Sequence, residues 1–401
     1  MMSNYVPPDD VATRRAPTIT RQVNDRLALD LFAQQGPLSR TQVRDILGVS
    51  QPTAIDLIKR LESAGHIQPV GEERQTRPGP RAVLYGLVSG RWFVAGANIR
   101  DRKISAAIGD LAGGPALETV VHTVDRRPLP DQIVDAITTS IRQAGIPASS
   151  IDRTVVGVPG IVDEATGDLG FSWDLPRWRG RLLEPLRQGI ASPLQLLNGV
   201  QLAAMSEGQA DDLRHRRTFA LMWVGTGVGL CLMVNGSPLI GASGAAGEIG
   251  YTPVPGAPVL PVRPGGGGFE GDLQSLIGAH GLRSLMTDMG FPAGSPGVLL
   301  RRAGHSRDER LQGYLGEVAR RIAVACASIA SVVDPGLFVL QGSTSIAGGV
   351  PLAARVEEEF RKMSPLDATV ITGRHHEQAE LEGALHLGRA LARRERWGGD
   401  A

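Results

Sequence analysis

Up to about residue 64 the apolar residues recur at helical spacing, and beyond Arg91 they crowd into short strand-like runs. Leu27, Ala28, Leu31 and Phe32 form one helical stripe, broken by "GPLS". Val43, Ile46 and Leu47 form a second, short one, broken by "GVS". Ala54, Leu57, Ile58 and Leu61 form a third. "GHIQPV" and "AVLYGLV" then read as two short strands around a polar loop. Further on, "WFVAGANI", "KISAAIGD" and "LETVVHTV" read as three strands, followed by a helix over about 130–144, the strand "TVVGV" and more helix. The same order returns: "TFALMWV", "VGLCLMV" and "SPLI", then helices, the strand "LFVL", a helix, the strand "ATVIT" and a last helix from about Glu377 to Arg394. This repetition predicts a duplicated α/β core, two lobes with a ligand cleft between them. The divisions expected are a polar, disordered tail over 1–20, a helical head over 21–90 and a two-lobed domain over 91–401. Lobe 1 takes about 91–198 plus the returning helix 377–394, and lobe 2 about 199–376.

Three short helices with "GVS" between the second and third fit a helix-turn-helix, and the two strands behind them fit a wing. Ser50 is a good N-cap for the third helix, and Pro52 falls in its first turn, where a missing N–H is harmless. Gln51 and Thr53 lie off the apolar stripe, where their side chains can reach base edges. Lys59 and Arg60 follow on the same helix, and Arg40 and Arg44 on the preceding one, as candidate phosphate contacts. The wing loop "GEERQTRPGPRA" carries Arg74, Arg77 and Arg81 on a stiff, extended frame suited to a minor groove.

Bulk charge does not decide the partner. The chain carries 42 Lys/Arg against 41 Asp/Glu, a net charge of +1, and residues 1–90 carry eleven against nine. Helix spacing, turn and wing carry the DNA-binding reading. Lysine is confined to Lys59, Lys103 and Lys362, a bias that points to a GC-rich coding sequence. Cys231 and Cys326, the only cysteines, each sit in an apolar run and read as small buried hydrophobes. No stretch is apolar for 18 residues and the amino terminus lacks a signal-peptide core, so a cytoplasmic protein is expected, with no membrane partner, at the nucleoid when bound to DNA.

"VGVPGIVDEATGDL", "LLNGVQLAAMSEG", "VGTGVGLCLMVNGSPLIGASGAAGEIGYTPV" and "FVLQGS" occur in this order and together resemble the ROK family of repressors and sugar kinases. The most specific piece is "GASGAAGEIG" with the preceding "VNGSPLIG". The resemblance runs over about 21–394. It implies an α/β fold, a winged helix-turn-helix followed by the two-lobed actin-like sugar-kinase fold, as in the regulator branch of the family. Kinases of the family hold ATP with a first loop Asp-x-Gly-Gly-Thr. Here Asn98 replaces the acid, and Ile99 and Arg100 fill glycine positions. The second loop, Gly225-Thr226-Gly227-Val228-Gly229, survives and also reads as a tight turn. The catalytic base is the Asp of Asn-Asp-x-Asn, and Gly199 stands in its place in Asn198-Gly199-Val200-Gln201. Glycine cannot act as a base.

The sugar contacts that the resemblance implies are Asn198, Glu248, Tyr251 (in place of the family's His) and Glu270. Members with zinc carry Cys-x-Cys-Gly-x-x-Gly-Cys-x-Glu after that His. In this chain Pro261, Arg263 and Gly268 occupy the cysteine positions and Tyr251 the histidine, so no metal and no cofactor is expected. "RPGGGGFE" then reads as the remnant of a zinc loop. A phosphate-cradling loop is the weaker alternative, because no Lys-Ser/Thr follows. The expectation is a kinase-inactive transcriptional repressor that binds a double-stranded operator as a homodimer or dimer of dimers and responds to a sugar or sugar derivative. An ATP-dependent sugar kinase with a DNA-binding head, and a regulator with a vestigial pocket, are the alternatives.

Overall fold

Capping chemistry sets the frame of the amino-terminal head. The chain runs through α1 (Ala12–Gln35), β1 (Leu38–Ser39), α2 (Arg40–Leu47), α3 (Gln51–Ser63), β2 (Ile67–Glu72) and β3 (Val83–Leu87). The computed structural model describes residues 12–73, 81–100, 102–172, 175, 181–254, 271–374 and 378–397, the side chains of 12–20 excepted. The first helix begins at Ala12, inside the stretch expected to be a tail. Ser39 and Gln42 form a capping box at the start of α2, and Ser50 accepts from the Thr53 amide at the start of α3, so two serines fix where both helices of the motif begin. The strands lie in the order β1-β3-β2. Ala28, Leu31, Phe32, Val43, Leu57, Ile58 and Leu61 close over one core with Tyr85 of β3. Leu27 and Ile46, counted in the apolar stripes, are instead about half exposed.

Lobe 1 contains β4 (Phe93–Arg100), β5 (Lys103–Asp110), β6 (Glu118–Thr123), α4 (Leu129–Gln143), β7 (Ile151–Val158), the small hairpin β8 (Ile161–Val162) and β9 (Leu169–Phe171), α5 (Leu183–Gly189) and β10 (Leu194–Asn198). Next, α6 (Gly199–Glu207) leads into lobe 2. That lobe contains β11 (Phe219–Val224), β12 (Val228–Val234), β13 (Ser237–Pro238), α7 (Leu273–Ile277), α8 (Ala279–Asp288), α9 (Pro296–Ala303), α10 (Glu309–Val333), β14 (Leu337–Gln341), α11 (Ser343–Met363) and β15 (Thr369–Thr372). The returning helix is α12 (Ala379–Trp397).

Among the described residues the lobe sheets run β10-β7-β4-β5-β6 and β13-β12-β11-β14-β15. Each has an antiparallel meander on one side of its first strand and two parallel strands on the other. The two orders are the same, so the repeated pattern in the sequence is a repeated topology. Strand alternation then distributes the cores. Ala220, Met222 and Val224 of β11 face the helices of lobe 2, while Phe219, Leu221 and Trp223 face α6 and the start of α12. Correspondingly, Phe93, Ala95, Ala97 and Ile99 of β4 face lobe 1's own core, and Val94 packs on α12. Both α6 and α12 therefore lie between the two sheets, and the cleft opens at their amino-terminal ends. Among the described residues no helix is long and apolar enough to cross a membrane.

Candidate functional site

On the head, the residues singled out from the sequence divide into free and committed groups. Gln51, Asp56 and Lys59 are exposed along α3. Gln51 accepts from Arg44 Nη1 at 2.8 Å, which ties the first residue of α3 to α2. Thr53 is partly spent on the cap, its hydroxyl 2.8 Å from that of Ser50. Arg40 stays exposed but leans on the wing strand, 2.5 Å from the Tyr85 hydroxyl and over its ring. Arg60 turns inward to Asp25 of α1, with Nη2 to Oδ1 at 2.6 Å and Nε to Oδ2 at 3.3 Å, so it braces the helices. Arg81 pairs with Glu72 across the base of the wing, and both are exposed. Arg74 and Arg77 lie outside the described residues.

The cleft is lined by Ile99, Arg100, Gly160, Asn198, Gly199, Trp223, Thr226, Glu248, Ser343 and Glu380, with their neighbours. Its free volume is about 80 Å³, far below the roughly 300–1,000 Å³ usual for ligand pockets. Arg100, at the end of β4, pairs with Glu380 in the first turn of α12, Nη1 to Oε2 at 2.9 Å, and lies over the Trp223 ring at 5.3 Å. Glu380 is buried and so is Trp223. Glu380 also fills the space beside Gly199: a Cβ built there would sit 3.2 Å from Glu380 Oε1 and 3.5 Å from Asn98 Oδ1. Asn98 Oδ1 is itself buried and accepts no hydrogen bond among the described residues.

Asn198 is mostly engaged. Its Oδ1 caps α6 by accepting from the Val200 amide at 2.7 Å, and its Nδ2 donates to the Gly160 carbonyl at 2.8 Å. One N–H and one lone pair remain for a ligand. Glu248 lines the cleft, and burial pushes its carboxyl above the ordinary range. Tyr251 sits one turn further on, outside the cleft lining; burial first, then Glu248 and Asp272, raise its phenol. The glycines of "GASGAAGEIG" answer to space: a Cβ on Gly244 would lie 2.0 Å from the Val162 carbonyl of lobe 1, and one on Gly247 would lie 1.9 Å from the Leu230 carbonyl. Both also have positive φ. The motif's backbone thus presses on both lobes and aims Glu248 inward. Glu270, Pro261, Arg263 and Gly268 lie outside the described residues. No cluster of three metal-ligating side chains occurs among the described ones.

Sequence reasoning identified Arg100 as an obstruction but missed both its partners. In the sequence Trp223 is only one position of the strand-like run "TFALMWV", and Glu380 is one unremarked residue of the last helix.

Comparison with known proteins agrees with this geometry. N-acetyl-D-glucosamine kinase of Escherichia fergusonii is 26% identical over 307 residues, 73% of this chain and 98% of that protein. The ROK hexokinase of Thermus thermophilus superposes with a TM-score of 0.61 at 23% identity, covering 76% of this chain and 99% of that one. A ROK-family transcriptional regulator, a homologue of the E. coli Mlc protein, superposes with a TM-score of 0.70 at 18% identity and covers 93% of this chain and 97% of its own. The fold of that regulator extends over the head as well as the lobes. The ROK family profile matches residues 94–390, so both lobes and the returning helix are accounted for, and the chain belongs to the ROK family.

Proposed function

We propose that this protein is a DNA-binding transcriptional repressor that responds to a sugar or sugar derivative and does not transfer phosphate. One observation carries the reading. Arg100, held by Glu380, fills the cleft beside Thr226 and Gly199 in a chain that also bears a winged helix. Phosphate transfer from a nucleotide to a sugar would need a small residue at position 100 and a base at position 199; this chain has arginine and glycine there. Glu248 lines the cleft with a carboxyl raised by burial, and a polyhydroxylated ligand supplies O–H donors to such an acceptor. Tyr251, Pro261, Arg263 and Gly268 provide no thiolate or imidazole, so the reading includes no zinc.

In this reading α3 enters the major groove with Gln51 and Thr53 toward the bases, while Lys59, Arg40, Arg44 and the wing arginines meet phosphates. Two heads on a homodimer, or a dimer of dimers, match operator half-sites about one helical turn apart. The test is to incubate the purified chain with fragmented genomic DNA and sequence what it retains. An enriched inverted repeat near sugar-uptake or glycosidase genes supports the proposal. Folded protein that enriches nothing overturns it.

The kinase reading rests on the retained Gly225–Gly229 loop and on relatives that are kinases. Turnover of ATP with a hexose panel, abolished by Glu248→Ala, would establish it in place of the repressor. A thermal-shift panel of mono- and disaccharides separates a working pocket from a vestigial one, since a ligand of the native state raises its melting temperature.

A further inference from the structure

The last helix joins three parts of the molecule. Its first turn carries Glu380, paired with Arg100 at the cleft. Its middle is packed between α6 and lobe 1: a Cβ on Gly383 would lie 1.9 Å from the Leu202 carbonyl of α6, and Gly388 lies against Val94 of β4. Its last turns reach the head. Trp397 packs on the head's core with Leu47 and Leu87, and Arg393 stands 5.7 Å from its ring. Arg396 lies over Trp92 at 4.6 Å, and Trp92 is 5.9 Å from His66 of the head. Arg91 closes the same junction by donating to the Gly65 carbonyl at 3.2 Å. Arg396 also pairs with Asp152, and Arg153 with Glu395, at the start of β7. At 1.5 Å per residue, these 19 residues span about 28 Å. One helix is thus a member of lobe 1's core and of the head's core at once.

Lobe 2 meets this assembly where Ala379 at the start of α12 packs in one cluster with β11, and again at the cleft. Near the cleft, Arg100 of lobe 1 lies over Trp223 of lobe 2, and Glu380 holds the guanidinium in place. Arg100 and Trp223 both line that cleft, whose free volume is about 80 Å³. A sugar and the Arg100–Trp223 contact therefore compete for one space.

We propose that the head and lobe 1 move as one body, joined by α12, and that Arg100 latches this body to lobe 2 through Trp223 until a ligand displaces it. The consequence for DNA rests on the repressor reading above: a ligand that binds only the unlatched arrangement shifts the population toward it and re-spaces the heads. The latch itself requires neither DNA nor sugar, so it is tested without them.

Spin labels report both movements. Ser63→Cys on the head, Gln143→Cys on lobe 1 and Val332→Cys on lobe 2 are exposed positions. Cys231 and Cys326 are buried, with thiols pushed up to about 12 by burial, and label poorly. Distances are measured by electron–electron double resonance in the full chain, with labelled protein diluted into unlabelled protein so that contacts between copies do not contribute. Arg100→Ala and the isosteric Glu380→Gln each shift or broaden the 143–332 distribution beyond its native width, and Arg100→Lys restores it toward native. The 63–143 distribution stays narrow in all three. Trp397→Ala does the converse, broadening 63–143 alone. Circular dichroism confirms that each variant is folded, and Glu380→Gln, the least disruptive, carries the test if Arg100→Ala does not fold. A native 143–332 distribution in Glu380→Gln and in every folded Arg100→Ala sample overturns the latch. A 63–143 distribution that moves together with 143–332 overturns the single body. Failure to retain genomic DNA touches neither result.

Discussion

Restoring the missing acid is the sharpest way to ask whether this cleft is an impaired kinase site or a site rebuilt for something else. Gly199→Asp puts a carboxylate where the family's kinases have their base. The structure says what it meets: a Cβ at 199 lies 3.2 Å from Glu380 Oε1 and 3.5 Å from Asn98 Oδ1. The two carboxylates come within about 4 Å, where unit charges at an effective dielectric near 20 repel by about 4 kcal/mol. Two local terms favour the substitution. Gly199 opens α6, so an acid there gains roughly 0.3–1 kcal/mol from the helix dipole, and losing a helical glycine gains up to ~1 kcal/mol. Arg100, paired with Glu380 at 2.9 Å, offsets part of the repulsion, so the net cost is at most about 2 kcal/mol. The variant should melt a few degrees below the native chain at neutral pH, and the deficit should shrink at acid pH as one carboxyl takes up a proton. Gly199→Asp with Glu380→Gln should recover the loss, because only one carboxylate then remains beside Arg100. No phosphate transfer should appear with ATP and hexoses, since Arg100 still occupies the cleft. Scanning calorimetry across pH and a coupled ATPase assay check both halves. A Gly199→Asp variant as stable as the native chain at neutral pH, or one that turns over ATP with a sugar, would refute the reasoning.

Other outcomes follow from the same geometry. On an operator recovered from genomic DNA, Lys59→Ala should lower the slope of log affinity against log salt by about 0.9, whereas Arg60→Ala should leave the slope alone and lower the head's stability by up to ~1 kcal/mol, because its partner is Asp25; fluorescence anisotropy at several salt concentrations distinguishes them. Burial raises the Glu248 carboxyl above its ordinary 4.5, so the folded state favours its protonated form and loses that advantage as pH rises through the folded value. Glu248→Gln should therefore raise the melting temperature at pH 7–8 and not below pH 4.5, and an equal gain at both ends would contradict the assignment. His386 has the opposite sign: burial, then Arg393 and Arg389, push it from 6.5 down to about 4. Its neutral form supports the fold above 6.5, and at most about 3 kcal/mol is lost as pH falls toward 4. His386→Leu should flatten that acid limb in denaturant titrations, and an unchanged limb would place the acid sensitivity elsewhere.

Much of this molecule was legible because its determinants are local. Ser50 announced the start of α3 through an N-cap that reaches three residues, and the structure has that bond. The three-strand pattern repeated after residue 218 became a second sheet of the same order, because alternation and turn spacing are read within a dozen residues. The sequence was less complete where a local pattern met a distant partner. Arg60 looked like a phosphate contact by its place on α3, yet Asp25, 35 positions earlier, accepts from its Nε and Nη2. Leu27 and Ile46 fitted helical stripes but lie at the edges of those faces, beyond the reach of the core. Asn198 was assigned to a ligand, and the backbone at Val200 and Gly160 claimed most of its amide first.

The cleft shows why sequence alone gave only half of the site. Substitution of small residues by Ile99 and Arg100 announced that something had been lost, since a long side chain cannot cradle a phosphate. It did not announce a gain, because the gain depends on Glu380, 280 positions away, and on Trp223 from the other half of the duplication. The route of the chain supplies both. Returning α12 to lobe 1 brings its first turn to the cleft and its last turn to the head, so an acid at one end and a tryptophan at the other belong to one rigid element. A kinase requires room at that point for a nucleotide, while a switch requires a contact that a ligand can break. Arg100 takes a place in that room and provides the contact with a single side chain, so in the proposed repressor the absence of phosphate transfer and the latch would be one structural change.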